Sequence, residues 1–186
     1  RHDLEQLDHK IQSLCRAKQP ELNAITAHIG RHQGKRMRAI LVLLSAKCFN
    51  YEGQAHHALA TVIECLHMAT LLHDDVIDLA DTRHNQQTPH RIWGNNLSIL
   101  AGDYLYAAAF EKLIALRHLD ILELVSQACR IVIEGEVKQH HHCRDLNTRF
   151  NDYWRIIGGK TAQLFELAAQ TGALIATDNR EHQLAL

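Results

Sequence analysis

The chain has 186 residues, with 20 Lys and Arg against 21 Asp and Glu, a net charge of −1, and 46% hydrophobic residues. That length supports a domain with a real core, and the balanced charge supplies no basic field to draw nucleic acid. No run of apolar residues is long enough to span a bilayer and no signal peptide is evident, which points to a cytoplasmic protein without stable membrane insertion. Five scattered cysteines, Cys15, Cys48, Cys65, Cys129 and Cys143, form no C-x-x-C pair and read as reduced, mostly packed thiols.

Only two prolines occur, Pro20 and Pro89, and apolar residues recur with helical period nearly throughout, so the fold class is all-α. In chain order the spacing predicts helices over about 3–18, 20–30, 37–49, 54–80, 95–116, 119–142 and 151–176, with another starting near 178. Pro20 suits the first turn of its helix. Gly30 and Gly34 bracket a loop, Gly53 sits in another, and 81–94, with Pro89 and Gly94, reads as one long loop. Several helices are apolar over much of their circumference, as expected of central helices in a large bundle. Residues 1–186 are read as a single helical domain. The chain begins at Arg1 and stops at Leu186 inside what reads as the opening of a helix, so it is expected to be a piece of a longer protein.

The stretch Leu71-Leu72-His73-Asp74-Asp75-Val76-Ile77-Asp78 puts three carboxylates into the most apolar helical pattern of the chain. Charges are rarely placed there unless something pairs them. At 100° per residue, Asp74 and Asp78 fall within about 40° of each other. Glu64, His67 and Leu71 lie on the same face, with Asp75 at its edge. Two carboxylates one turn apart suit a hard divalent cation.

Other constellations surround this one. Gly34-Lys35-Arg36-Met37-Arg38 places three cations at the start of an apolar helix, where Lys35, Arg38 and backbone N–H groups would bind an anion. The plainer alternative is a solvated basic turn. His67 precedes Asp74 on the same face and reads as a phosphate contact rather than a packed core histidine. Arg83-His84 follows the aspartates in the long loop and would neutralise a phosphate, or else form a surface pair. Gly158-Gly159-Lys160-Thr161 interrupts an otherwise good helix at a cost of roughly 1 kcal/mol per glycine. A kink there would free carbonyls and aim Lys160 inward; a simple junction of two helices is the alternative. His140-His141-His142-Cys143 looks like a metal tract, but adjacent helical residues diverge, and histidine at a helix C-terminus is favoured by the macrodipole. Metal-binding aspartates, phosphate-binding cations and apolar walls together suggest diphosphate chemistry on a greasy substrate.

With these residues assembled, the chain resembles the trans-isoprenyl diphosphate synthases, most closely the bacterial long-chain polyprenyl (octaprenyl-type) group. The resemblance runs from the Gly34–Arg38 loop to about Gly172, through G-K-R-M-R, H-M-A-T-L-L-H-D-D-V-I-D, W-G-N, A-G-D-Y, E-G-E-V-K-Q and G-K-T-A, in family order. It implies the isoprenoid synthase fold. It also implies that Asp74 and Asp78, with Asp75 beside them, carry Mg²⁺ bridging an allylic prenyl diphosphate, which Arg83 helps to hold. Lys35, Arg38 and His67 would hold isopentenyl diphosphate, with His84 at the position of a further contact. Lys160 and Thr161 would face the departing diphosphate. The implied product is a long trans-polyprenyl diphosphate of the kind used for quinone side chains. Ala69, five residues before Asp74, would leave room for it. A homodimer through 95–116 is expected from the same resemblance.

Departures from the family pattern sharpen the expectations. Gln33-Gly34-Lys35 stands for Gly-Gly-Lys, and Ala39 for Pro. Arg83-His84-Asn85 stands for Arg-Arg-Gly; histidine is shorter and lacks the guanidinium fork, so weaker isopentenyl diphosphate binding is expected. The family's second aspartate-rich motif is expected after residue 186. Two further readings stand beside the prenyltransferase: a non-catalytic or truncated prenyl-synthase-like subunit, and a histidine-rich metal-binding helical protein.

Overall fold

The computed structural model describes residues 2–31 and 34–184, so Gln33 lies outside the described residues. Helices dominate: α1 (His2–Leu14), α2 (Pro20–Arg31), α3 (Met37–Cys48), α4 (Ala55–Ile77), α5 (Pro89–Trp93), α6 (Asn95–Ala115), α7 (Leu119–His142), α8 (Phe150–Ile157), α9 (Gln163–Leu174) and α10 (Arg180–Leu184). Two-residue strands β1 (Thr82–Arg83) and β2 (Gln86–Gln87) pair antiparallel. The all-α expectation holds. The chain divides into two compact units, one of residues 1–40 and 57–116, the other of residues 41–56 and 117–186.

In the first unit, α1 and α2 pack on each other and on α6, and α5 packs on α2 and α6. Its core includes Leu7, Ile11, Ile25, Leu59, Ile63, Leu66, Leu105 and Leu113, all essentially inaccessible. Helix α4 is buried around almost its whole girth from His57 to Ala69, as its unbroken apolar pattern requires. Its packing against α6 depends on Gly102, where a Cβ would come within 2.3 Å of His73 Nε2. His73 Nε2 donates to the Ile99 carbonyl at 3.1 Å.

Two helices end earlier than their periodicity predicts. Helix α1 stops at Leu14, not 18, because the next carbonyls are claimed by side chains. Thr26 Oγ1 donates to the Cys15 carbonyl at 2.8 Å, and Tyr104 Oη to the Arg16 carbonyl at 2.9 Å. Gln19 also precedes Pro20, which disfavours helical geometry at that residue. Helix α4 stops at Ile77, not 80, because Leu79 turns left-handed (φ 52°) and the Ala80 N–H reaches back to the Asp75 carbonyl at 3.0 Å. This is a Schellman closure on a leucine rather than the usual glycine.

The stretch 81–94 is more ordered than a single loop. His84 and Asn85 sit at the tip of the β1–β2 hairpin with φ of 52° and 63°, the double left-handed geometry of a tight two-residue turn. Helix α5 follows, opened by Pro89 at its start.

In the second unit, α7 packs against α8, α9 and the segment between them. The expected helix over 151–176 is instead α8 and α9 joined by a π-helical turn, Gly158–Ala162. Wide turns of this kind collect at functional sites. Glycines set the closest approaches. A Cβ on Gly135 would lie 2.7 Å from the Lys160 backbone nitrogen, and one on Gly172 would lie 2.5 Å from the Val42 carbonyl oxygen.

Candidate active site

In the first unit, α4 carries three acceptors that each hold an arginine from elsewhere in the chain. Glu64 Oε1 accepts from Arg36 Nη1 at 2.8 Å, His67 Nε2 accepts from Arg38 Nη1 at 3.1 Å, and Asp75 Oδ1 accepts from Arg83 Nε at 2.9 Å and Nη2 at 2.8 Å. Because Nε2 of His67 is an acceptor, the ring is neutral with its proton on Nδ1. Burial and the surrounding Arg38, Arg83 and Arg36 push its pKa down to about 3. Arg38 is itself pulled below the ordinary arginine value by burial, an effect that Glu64 opposes.

This arrangement redistributes the three carboxylates of the aspartate-rich stretch. Asp75 is 1% exposed and is the counter-ion of Arg83. Asp74 is half-buried and Asp78 exposed, the latter one residue beyond α4 yet still donating its N–H to the Asp74 carbonyl at 2.8 Å. Two carboxylate oxygen donors one turn apart fit Mg²⁺, which typically takes one or two carboxylates and fills the rest of its shell with water and phosphate oxygens. Among the described residues no group of three or more His, Cys, Asp or Glu side chains converges to cage an ion.

The cationic loop also splits. Lys35 is exposed, whereas Arg36 and Arg38 turn toward α4. Arg36 has φ 50°, and its carbonyl accepts the Ile40 N–H at 2.9 Å, which places it at the cap of α3. Of the three cations at the start of α3, Arg36 and Arg38 are thus partnered on α4. On the hairpin, Arg83 lies against Asp75 while the His84 side chain at the tip is exposed. Ala69 is fully buried in α4, and Ala39 in the first turn of α3.

In the second unit, Lys160 and Thr161 lie on the π turn. Lys160 Nζ lies 2.7 Å from Glu136 Oε2, with the two side chains 20% and 14% exposed. Thr161 is exposed. The glycine interruption is explained locally: Gly159 passes Gly135 so closely that a Cβ on Gly159 would meet the Gly135 Cα at 3.3 Å. Nothing in the sequence marked Glu136 as Lys160's partner except its place in E-G-E-V-K-Q, beside that glycine. At the end of α7, His140, His141 and Cys143 are exposed, while His142 Nδ1 lies 3.8 Å from Asp145 Oδ2.

Comparison with known proteins gives the family. The family pattern described as polyprenyl synthetase matches residues 19–186. The octaprenyl diphosphate synthase of Escherichia coli (strain K12) is 38% identical over 183 residues, covering 98% of this chain and 54% of that protein. An all-trans-nonaprenyl-diphosphate synthase (geranyl-diphosphate specific) of Rhodobacter capsulatus is 36% identical over 94% of this chain and 54% of its own length. Among solved structures, a decaprenyl diphosphate synthase from Rhodobacter capsulatus superposes with a TM-score of 0.96 at 34% identity, covering 99% of this chain and 57% of that one. A polyprenyl synthase from Caulobacter crescentus CB15, complexed with calcium and isoprenyl diphosphate, also gives 0.96, at 33% identity and with 99% and 56% coverage. The chain thus spans about half the length of the relatives it matches. With a family match across nine-tenths of the sequence, this chain belongs to the polyprenyl synthetase family.

Proposed function

We propose that this chain serves a Mg²⁺-dependent trans-prenyltransferase that joins an allylic prenyl diphosphate to isopentenyl diphosphate and lengthens a polyprenyl diphosphate. The observation that carries the reading is the arrangement along α4: Glu64, His67 and Asp75 hold arginines, and beside them the half-buried Asp74 and the exposed Asp78 stand one turn apart. The relatives named octaprenyl, nonaprenyl and decaprenyl diphosphate synthases support the substrate class.

In this reading Lys35 and Arg38 grip the isopentenyl diphosphate, with neutral His67 keeping the Arg38 guanidinium in place. Arg83, anchored on Asp75, neutralises the allylic diphosphate, and Asp74 and Asp78 would hold Mg²⁺. Bound there, the ion would supply electrostatic stabilisation of the charge that develops on the leaving diphosphate. The allylic C–O bond breaks, its electron pair leaving with the diphosphate. The isopentenyl double bond then forms the new C–C bond, and a proton is lost to regenerate an alkene. Cations poised for the developing oxyanion charge lower the barrier without a protein nucleophile, and Lys160 and Thr161 are assigned to that same charge. His84 is a weaker substitute for an arginine toward isopentenyl diphosphate. A second copy of the chain is proposed to pair along α6, where Ile99, Leu100 and Ile114 are exposed. No described helix is long and apolar enough to cross a membrane.

Turnover of farnesyl and isopentenyl diphosphates by the full-length protein, with and without Mg²⁺, tests the reading; no Mg²⁺-dependent product would overturn it. Product length tests Ala69 in the same assay. Ala69→Phe is expected to shorten the product, and an active variant with an unchanged distribution would remove Ala69 from the length-setting role.

A further inference from the structure

Arg36 is the one cation of the Gly34–Arg38 loop that the proposed chemistry leaves unused, and its geometry is the most constrained of the three. Its backbone sits at φ 50°, a left-handed conformation that costs a bulky L-residue roughly 1 kcal/mol or more. Were the turn alone at stake, glycine would serve better. The side chain explains the choice. Arg36 Nη1 is 2.8 Å from Glu64 Oε1, and Arg36 Nε is 3.4 Å from Asp8 Oδ1, so the guanidinium ties the loop to both α4 and α1. Arg36 and Glu64 side chains are only 10% and 6% exposed, which excludes the solvent competition that weakens surface pairs.

Two residues further on, Arg38 Nη1 donates to His67, which lies three residues after Glu64 on α4. The loop is therefore pinned to one helix face at two successive points. The buried Arg36–Glu64 bond is a second anchor beside the Arg38–His67 bond, and two anchors keep the loop from pivoting about either one. Glu64 also opposes the effect of burial on Arg38.

We propose that Glu64, acting through Arg36, is a positioning residue for the diphosphate-binding loop, setting where Lys35 and Arg38 present their charge to isopentenyl diphosphate. The proposal rests on the reading that Lys35 and Arg38 bind that diphosphate.

The test uses steady-state kinetics and melting curves of the full-length protein. Glu64→Gln and Arg36→Met are each expected to raise the KM for isopentenyl diphosphate by about tenfold or more, since small misplacements of a binding group are expensive. The kcat and the allylic KM should stay within about twofold of wild type, because only ground-state and transition-state binding at one diphosphate is lost. Either single variant leaves a buried charge without its partner and melts lower. The double variant Glu64→Leu/Arg36→Met removes both charges. It is expected to regain much of the melting temperature while keeping the raised KM, a separation that a purely structural role does not produce. A KM that returns to wild type together with stability, or single variants with unchanged KM, overturns the proposal. Arg38→Ala guards the underlying reading: if it too leaves the isopentenyl KM unchanged, the loop does not bind the diphosphate and the clamp falls with it. A raised KM in Arg38→Ala beside unchanged Glu64→Gln refutes the clamp alone.

Discussion

The acceptor face of α4 and the π turn at Gly158–Ala162 present their cations by different physical means. On α4, each arginine is held by a side chain far from it in sequence: Arg36 by Glu64, Arg38 by His67, Arg83 by Asp75. Position there is set by charge pairing, and a long side chain spans the gap. At the π turn, Lys160 is placed by backbone proximity, Gly159 against Gly135, with one ion pair to Glu136 completing it. The first arrangement should tolerate small backbone shifts and fail when a charge is removed. The second should fail when a methyl group is added.

Neutralising the carboxylate of Asp74 probes the first arrangement hardest. Asp74→Asn is expected to lower kcat by about a hundredfold or more, the scale of losing one group that stabilises developing charge. Asp75→Asn, by contrast, should act through Arg83, raising the allylic KM and lowering the melting temperature while sparing most of kcat. Equal kcat losses in steady-state assays of the two would erase the distinction between metal donor and arginine holder.

The second arrangement is probed by Gly135→Ala. The added Cβ would meet the Lys160 nitrogen at 2.7 Å, with backbone on the other side and nothing flexible to move. A loss of about 1–3 kcal/mol is expected from such overpacking. Glu136→Gln, which keeps the shape, should cost less in a denaturant titration. If the order is reversed, charge and not packing governs the π turn.

A pH dependence tests His67. Its folded pKa of about 3 lies below the ordinary histidine value, so the unfolded chain binds the proton more readily. The contribution to stability is complete above pH 6.5 and is lost as pH falls toward 3. Between pH 7.5 and 5 the loss should approach ~2 kcal/mol. His67→Gln is expected to flatten that part of the stability curve, and an unchanged slope would mean that the imidazole is not held neutral by Arg38. The smallest effect is expected at the hairpin tip, where His84→Arg should lower the isopentenyl KM by severalfold, about 1 kcal/mol of charge-assisted binding. An unchanged KM at pH 8 would leave the His84 side chain as a solvent-exposed turn residue.

Much of this was legible from local pattern. The apolar period placed every long helix, and the spacing of His67 and Asp74 put them on one face of α4, with Asp78 just beyond its end. Helix ends were less legible, because they depend on partners brought from elsewhere. The Cys15 and Arg16 carbonyls are taken by Thr26 and Tyr104, which no window around residues 14–18 contains. The hairpin at 82–87 escaped the strand pattern because two residues per strand are too few for an alternation.

For the site, the sequence by itself determined which residue types are present and which share a helical face, since both follow from composition and a 3.6-residue period. The expectation of diphosphate chemistry followed from that, through carboxylates one turn apart beside a cationic loop. Only the tertiary structure decided how the charges are partnered. A helical period cannot say that Asp75 turns to Arg83 while Asp78 stays exposed, or that Arg36 leaves the loop for Glu64. Those pairings join residues 8 to 28 positions apart, and a buried charge takes its partner from whatever the fold brings within about 3 Å, wherever it lies along the chain.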